Sequence, residues 1–285
     1  MEEQAPPRVT ALIVSRHSPV ELRRCLESLE RSEERDRLEI LVVDDGSRDG
    51  TTAVLDDFPD VISLKLPKRF GWTRAVNIAL RTAKGNLVFL LPVWFEVAPD
   101  TVRRLANRLE ESADTGAVCP RVDRAWPFPS AADLDAAWKT GELPGARTLG
   151  ATAGEQAVEY PMGSPVMTRR ELLRAMNYLD ERFGDRWSDL EMYWRIRDGG
   201  KSILVLSDVV APLQATDSAS QGDDELSPLE WIDSAHGVGT WIGLHQGGMK
   251  GFTTTLSMAF HALGKGRTSA FLGILTGSKI DGNQE

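Results

Sequence analysis

The sequence predicts an α/β fold, a doubly wound and mostly parallel sheet followed by a C-terminal helical tail. Three observations carry this. Apolar runs of strand length alternate with helix-period segments from Val9 to Val122. The runs are apolar at successive positions, as in strands covered on both faces. Beyond Leu229 the pattern is helical only. Regular strand–helix alternation calls for right-handed crossovers that bring each new strand back parallel to the last.

Val9–Ser15 reads as the first strand. Ser18-Pro19-Val20-Glu21 opens a helix, with a serine N-cap, proline at the first helical position and glutamate where a capping box places it. Leu22, Cys25, Leu26 and Leu29 then recur at helical spacing. Leu38–Val43 forms a strand ending at Asp44, followed by a short helix over 51–58 and a strand over 61–66. Trp72–Ala83 is helical in pattern, Gly85 breaks it, and Leu87–Leu91 is another buried strand. A helix over Pro99–Glu111 and a strand over Ala117–Val122 complete the regular part.

Residues 123–158 break the rhythm with Pro- and Gly-rich turns around one weak helix, Ala131–Trp138, and read as a loop over the site. Val166–Thr168 and Ser202–Val210 read as strands, Glu171–Tyr178 and Ser188–Asp198 as helices, and Ala215–Ser227 as a polar loop. In the tail, Phe252, Leu256, Ala259, Phe260 and Leu263 make an apolar stripe. Packing on the core is the preferred account of it. An amphipathic surface resting on an anionic membrane through residues 250–279 is the other.

The 285 residues are 41% hydrophobic and 26% charged, an ordinary globular balance. A net charge of −9 argues against nucleic acid as a partner. The charge is uneven: Lys250, Lys265, Arg267 and Lys279 against Asp281 and Glu285 leave residues 236–285 at +2 and the rest at −11. Cys25 and Cys119 lack metal-site or redox spacing, which fits a reducing compartment. Met1-Glu2-Glu3-Gln4 has no apolar signal core, and no apolar run is long enough to span a membrane, so a cytoplasmic protein is expected, peripheral at the inner face of the membrane if the tail docks there.

The most informative stretch is Val43-Asp44-Asp45-Gly46-Ser47-Arg48-Asp49-Gly50-Thr51. Two carboxylates stand at the carboxyl end of a buried strand, where open α/β sheets bind ligands. Acidic groups there suit hydroxyl and N–H donors, such as a ribose or a base edge, better than phosphate. A loop in which Asp and Ser only cap the next helix fits the same residues.

With Phe70-Gly71-Trp72 through Asn77, Gly85 to Leu91, Gly163 to Glu171 and Leu179-Asp180-Glu181-Arg182-Phe183, this stretch resembles in order the motifs of the inverting family 2 glycosyltransferases of GT-A fold. The tail residues Leu244-His245-Gln246-Gly247 and Phe271 to Gly277 are similar to the rhamnosyltransferase-like branch of cell-surface polysaccharide assembly. The resemblance implies a nucleotide-sugar-binding half at 1–122, an acceptor half at 123–227 and a helical tail at 228–285. It implies a nucleoside diphosphate-sugar held by Asp44, Asp45, Ser47, Asn77 and Arg74. Gly163, Ser164 and Trp187 would meet a glycan or lipid-linked acceptor, and Asp189 would be the catalytic base. An inverting displacement needs such a carboxylate to take the acceptor hydroxyl's proton. Ser188 replaces the glutamate that usually precedes it. A helix-terminal carboxylate held by the helix dipole is the structural alternative for Asp189.

Two metal-associated positions depart from the family. Trp94 stands where an aspartate would hold Mg²⁺ or Mn²⁺, and Leu213 lies where a histidine ligand is expected. Neither side chain offers an oxygen to a hard cation. Mg²⁺ or Mn²⁺ is therefore disfavoured, and three readings remain: metal-independent transfer with Arg74, Lys68 or Arg69 neutralising the diphosphate; a shifted site using Glu96 or Asp100; or a catalytically inactive relative that binds a ligand or scaffolds a partner glycosyltransferase. Trp126, Trp138 and Trp187 are candidates for a sugar-stacking surface.

Overall fold

The structure, a computed structural model, describes residues 6–124, 130, 154–214 and 228–277. Among them, eight strands form one sheet: β1 Val9–Ser15, β2 Leu38–Asp44, β3 Ile62–Lys65, β4 Leu87–Leu90, β5 Thr115–Val122, β6 Glu155–Val158, β7 Val166–Arg169 and β8 Ser202–Ala211. Their order is β3-β2-β1-β4-β7-β5-β8-β6. β3, β2, β1 and β4 are parallel; β7 is antiparallel to β4 and β5; β8 is parallel to β5, and β6 antiparallel to β8. The helices are α1 Pro19–Glu30, α2 Thr51–Val54, α3 Trp72–Thr82, α4 Thr101–Glu111, α5 Arg170–Ala175, α6 Gly184–Asp198, α7 Pro228–Gln246, α8 Gly248–Gly264 and α9 Thr268–Thr276.

Unbroken apolar strands have a direct physical cause here. Ala11, Ile13, Ile40 and Val42 face one core layer with Leu22 and Leu26 of α1 and Leu105 and Leu109 of α4. The alternating residues Leu12, Leu41 and Val43 face the other, with Ala75, Ala79 and Leu80 of α3 and Leu190 and Tyr193 of α6. Both layers draw residues from either side of position 122, so the two expected halves share one sheet and one pair of cores.

The differences from the expected elements are local. The Ser18–Glu21 capping box does not form: Ser18 makes no side-chain cap, and its Oγ lies 2.9 Å from Ser15 Oγ. β6 falls inside the segment expected to be a loop; as a half-exposed edge strand its existence depends on pairing with β8 rather than on its own pattern. α6 starts at Gly184, a turn before Ser188, for a reason given below. The tail stripe is turned outward: of its members only Ala259 is buried, while Phe252, Phe260 and Leu263 are exposed. The Ala131–Trp138 helix, Trp126, Trp138 and the 215–227 loop lie outside the described residues. Among the described residues no helix is long and apolar enough to cross a membrane.

Candidate active site

The chain end of β2 builds the first part of the site. Asp44 Oδ1 accepts the Ser47 N–H at 2.9 Å and Oδ2 the Thr52 hydroxyl at 2.6 Å, so this carboxylate shapes its own turn. Asp45 reaches across instead: Oδ1 accepts the Phe70 N–H at 2.6 Å and Oδ2 the Gly71 N–H at 3.0 Å. Both aspartates are buried. Gly46 sits at φ +75°, and a Cβ there would lie 2.5 Å from the carbonyl carbon of Lys68. Only glycine permits that backbone-to-backbone approach, which brings Lys68 and Arg69 beside the turn. His17, at φ +50°, closes the third side, its N–H donating to Ser47 Oγ at 3.1 Å. The loops after β1, β2 and β3 thus converge beyond the carboxyl ends of parallel strands, the usual ligand crevice of such sheets.

Helix α6 is fastened to this crevice. Asp185 Oδ1 accepts the Thr73 N–H at 3.0 Å, capping α3 from across the fold. Gly71, at φ +92°, passes so close that a Cβ would meet the Asp185 carboxylate at 2.6 Å. Ser188 Oγ lies 2.7 Å from Thr73 Oγ1, so this serine has a hydroxyl partner. Asp189 follows one helical turn after Asp185, on the same face. Its Oδ2 accepts the Gly163 N–H at 2.7 Å. Ser164 Oγ, next along that loop, is buried without a hydrogen-bond partner. Burial pushes the Asp189 carboxyl up to about 6, the Gly163 and Leu190 amides opposing a larger rise. It is therefore ionised at neutral pH yet close enough to titrate to act as a base. Burial also raises Asp185 above the usual carboxylate range, against the Thr73 and Trp72 amides.

The early start of α6 comes from α7. Asp233 Oδ2 accepts the Asp185 N–H at 2.8 Å and the Arg186 N–H at 3.3 Å, a cap supplied from elsewhere in the chain. Burial, then the Asp185 charge, pushes Asp233 up to about 6. A carboxyl raised in the folded state binds its proton more tightly there than in the unfolded chain. Its contribution is full below the unfolded value and is lost as pH rises through about 6. Thermal unfolding between pH 4 and 7 should show stability falling over that window. Asp233→Asn, which keeps an acceptor oxygen, should flatten the fall by roughly 1–3 kcal/mol. An unchanged pH profile would contradict this.

The remaining expected residues have other surroundings. Asn77 is spent on backbone, its Nδ2 donating to the Leu179 carbonyl at 2.9 Å and its Oδ1 accepting the Leu179 N–H at 3.0 Å. Arg74 pairs with Glu181 at 3.0 Å on the surface. Both tie α3 to the segment before α6. Trp187 is not available for sugar stacking: it is buried, and its Nε1 donates to Ser234 Oγ at 3.1 Å. Asp185 and Asp233 were not singled out from sequence. The i, i+4 spacing of Asp185 and Asp189 was a visible signal; nothing local marked Asp233.

The Trp94 and Leu213 segments do meet in space. Gln214 N–H donates to the Trp94 carbonyl at 2.9 Å, and Phe95 bridges Leu213. Trp94 is 38% exposed there. Gln214 donates both amide protons, to the carbonyls of Glu21 and Val93. Glu96 lies toward α1, where its charge acts on the Cys25 thiol. Among the described residues no group of three His, Cys, Asp or Glu could hold a metal ion. At these two positions neither Trp94 nor Leu213 offers a side-chain oxygen to a hard cation.

This sheet, with a carboxylate-bearing crevice and a buried carboxylate on the following helix, defines a GT-A-type glycosyltransferase fold. Residues 10–176 match the family model described as glycosyl transferase family 2, and the chain belongs to that family. The N-acetylglucosaminyltransferase of Rhizobium sp. (strain N33) is 32% identical over 100 residues, 33% of this chain and 22% of that protein. The undecaprenyl-phosphate 4-deoxy-4-formamido-L-arabinose transferase of Aeromonas hydrophila is 30% identical over 81 residues, 27% of this chain and 25% of that protein. The chain thus matches about a quarter of the length of these curated relatives. Among solved structures, S. aureus TarS 1-349 in complex with UDP-GlcNAc has a TM-score of 0.60 at 15% identity, covering 96% of this chain and 76% of that one. Mannosyltransferase PcManGT from Pyrobaculum calidifontis, in complex with GDP-Man and Mn²⁺, has a TM-score of 0.56 at 21% identity, covering 96% and 82%. At such identities the likeness shows the fold.

Proposed function

We propose that this chain moves a sugar from a nucleoside diphosphate-sugar to a hydroxyl of a glycan or glycolipid acceptor, with inversion and without a divalent cation. The observation that carries the reading is Asp189, a buried carboxylate raised to about 6 beside the unpartnered Ser164 hydroxyl, one turn from the Asp185 that closes on the Asp45 loop. In this reading Asp44 and Asp45 act by building the turn that receives base and ribose, with Ser47 at its edge. Ser164 Oγ and the Gly163 loop orient the acceptor. Asp189 takes the proton from the acceptor hydroxyl as its oxygen bonds to the anomeric carbon. The bond from that carbon to the diphosphate oxygen breaks, and the nucleoside diphosphate leaves with the electron pair. Lys68 and Arg69, beside the donor turn, balance the charge of the leaving group. The names of the relatives make UDP-N-acetylglucosamine the first donor to test, and dTDP-sugars follow from the rhamnosyltransferase-like tail.

One observation favours a second reading. Trp94 and Leu213 stand together where the family resemblance implies metal ligands, as they would in a catalytically inactive relative that binds a nucleotide or glycan or scaffolds a partner glycosyltransferase. Proton NMR of the α-linked donor incubated with the protein in EDTA separates the two. The transferase reading expects slow transfer to water with the β anomer released first; no release with any donor, or the α anomer first, contradicts it.

A further inference from the structure

We propose that the outer face of α8 and α9 is a docking surface for an anionic lipid bilayer. Helix α8 is turned against the usual arrangement. Its buried residues are mostly small, Gly251, Ala259 and Ala262 with Met258, while its large apolar residues face out. Met249 is 78% exposed, Phe252 65% and Phe260 56%, and with Leu256 and Leu263 they recur at three- and four-residue steps. At 3.6 residues per turn these five positions fall within an arc of about 80°. Helix α9 continues the face: the Phe271 ring lies 5.7 Å from that of Phe260, and Leu272 is 58% exposed.

A contiguous exposed apolar face of this kind marks an interaction site. Its charge says which one. In a chain of net charge −9, no Asp or Glu occurs between Ser234 and Ile280, and Lys250 and Lys265 are exposed beside the stripe. Apolar rings flanked by lysines match the boundary between acyl chains and anionic headgroups. A two-fold contact between copies would instead set each lysine pair against its own counterpart, like against like. The inference does not rest on transfer activity.

Flotation of the purified chain with phosphatidylcholine vesicles, with and without phosphatidylglycerol, tests it. Binding is expected only with phosphatidylglycerol and should weaken as salt is raised. Lys250→Ala and Lys265→Ala should each weaken it roughly fivefold, and Phe252→Ser with Phe260→Ser by more than tenfold. These side chains are exposed, so an unchanged circular dichroism spectrum is expected for every variant. No flotation, flotation that the Phe variant retains, or a concentration-dependent dimer that the Phe variant abolishes without any flotation would each overturn the proposal.

Discussion

Asp189→Asn is expected to lower sugar transfer by about 10²–10⁴-fold, the usual contribution of a positioned base. The fold should be kept. The wild-type carboxylate is held ionised at neutral pH in a buried place that pushes its pKa up to about 6. Ionisation there costs roughly 3 kcal/mol relative to the unfolded chain, which a neutral amide avoids. That gain offsets a weakened bond from the Gly163 N–H, so the melting temperature should not fall. Activity lost with stability kept or raised is the pattern of a strained functional group. The pH profile follows: the base form is lost on acidification, so the wild-type rate should fall below about pH 6. A variant that retains transfer would remove Asp189 from the chemistry. Loss of both folding and transfer would make it a structural residue.

Asp45→Ala should produce the largest combined loss of stability and binding. The aspartate ties the Phe70 and Gly71 side of the crevice to the end of β2, accepting both N–H groups within 3.0 Å. Removing it leaves two largely buried donors unsatisfied, at about 1–3 kcal/mol each. The Gly71 turn also carries the start of α3 and abuts Asp185, so the disturbance reaches the helix that bears Asp189. A destabilisation of roughly 2–5 kcal/mol by urea unfolding, with nucleotide binding abolished, is expected. Asp44→Ala should be milder in its reach, because its partners Ser47 and Thr52 belong to its own turn. Equal nucleotide affinity in the Asp45 variant would contradict the assignment of this crevice.

Most of the sheet was legible in the sequence because burial on both faces leaves an unbroken apolar record, and β1 and β2 fall within the expected bounds. What was not legible depended on distant partners. The start of α6 is set by Asp233, the cap of α3 by Asp185, and β6 by pairing with β8. Ser18 shows the converse: a local capping signature was overridden by a neighbouring hydroxyl, Ser15. In the tail, helical periodicity identified the stripe but not its direction. The stripe and the buried small residues share one helix, and contacts with α7 and α9 decide which face turns inward. In the site, Asp189, Gly163 and Ser164 do come together. Trp187 and Asn77 do not join them, since a motif match places a residue in the chain and leaves open whether its side chain is already occupied.

The account is tested most directly by calorimetric titration of the full chain with UDP, GDP and dTDP, each in EDTA and in Mn²⁺. It predicts that one nucleotide binds with micromolar affinity, that the affinity is the same in EDTA, and that Asp45→Ala loses it. Binding that requires Mn²⁺, or no binding by any of the three, would contradict it.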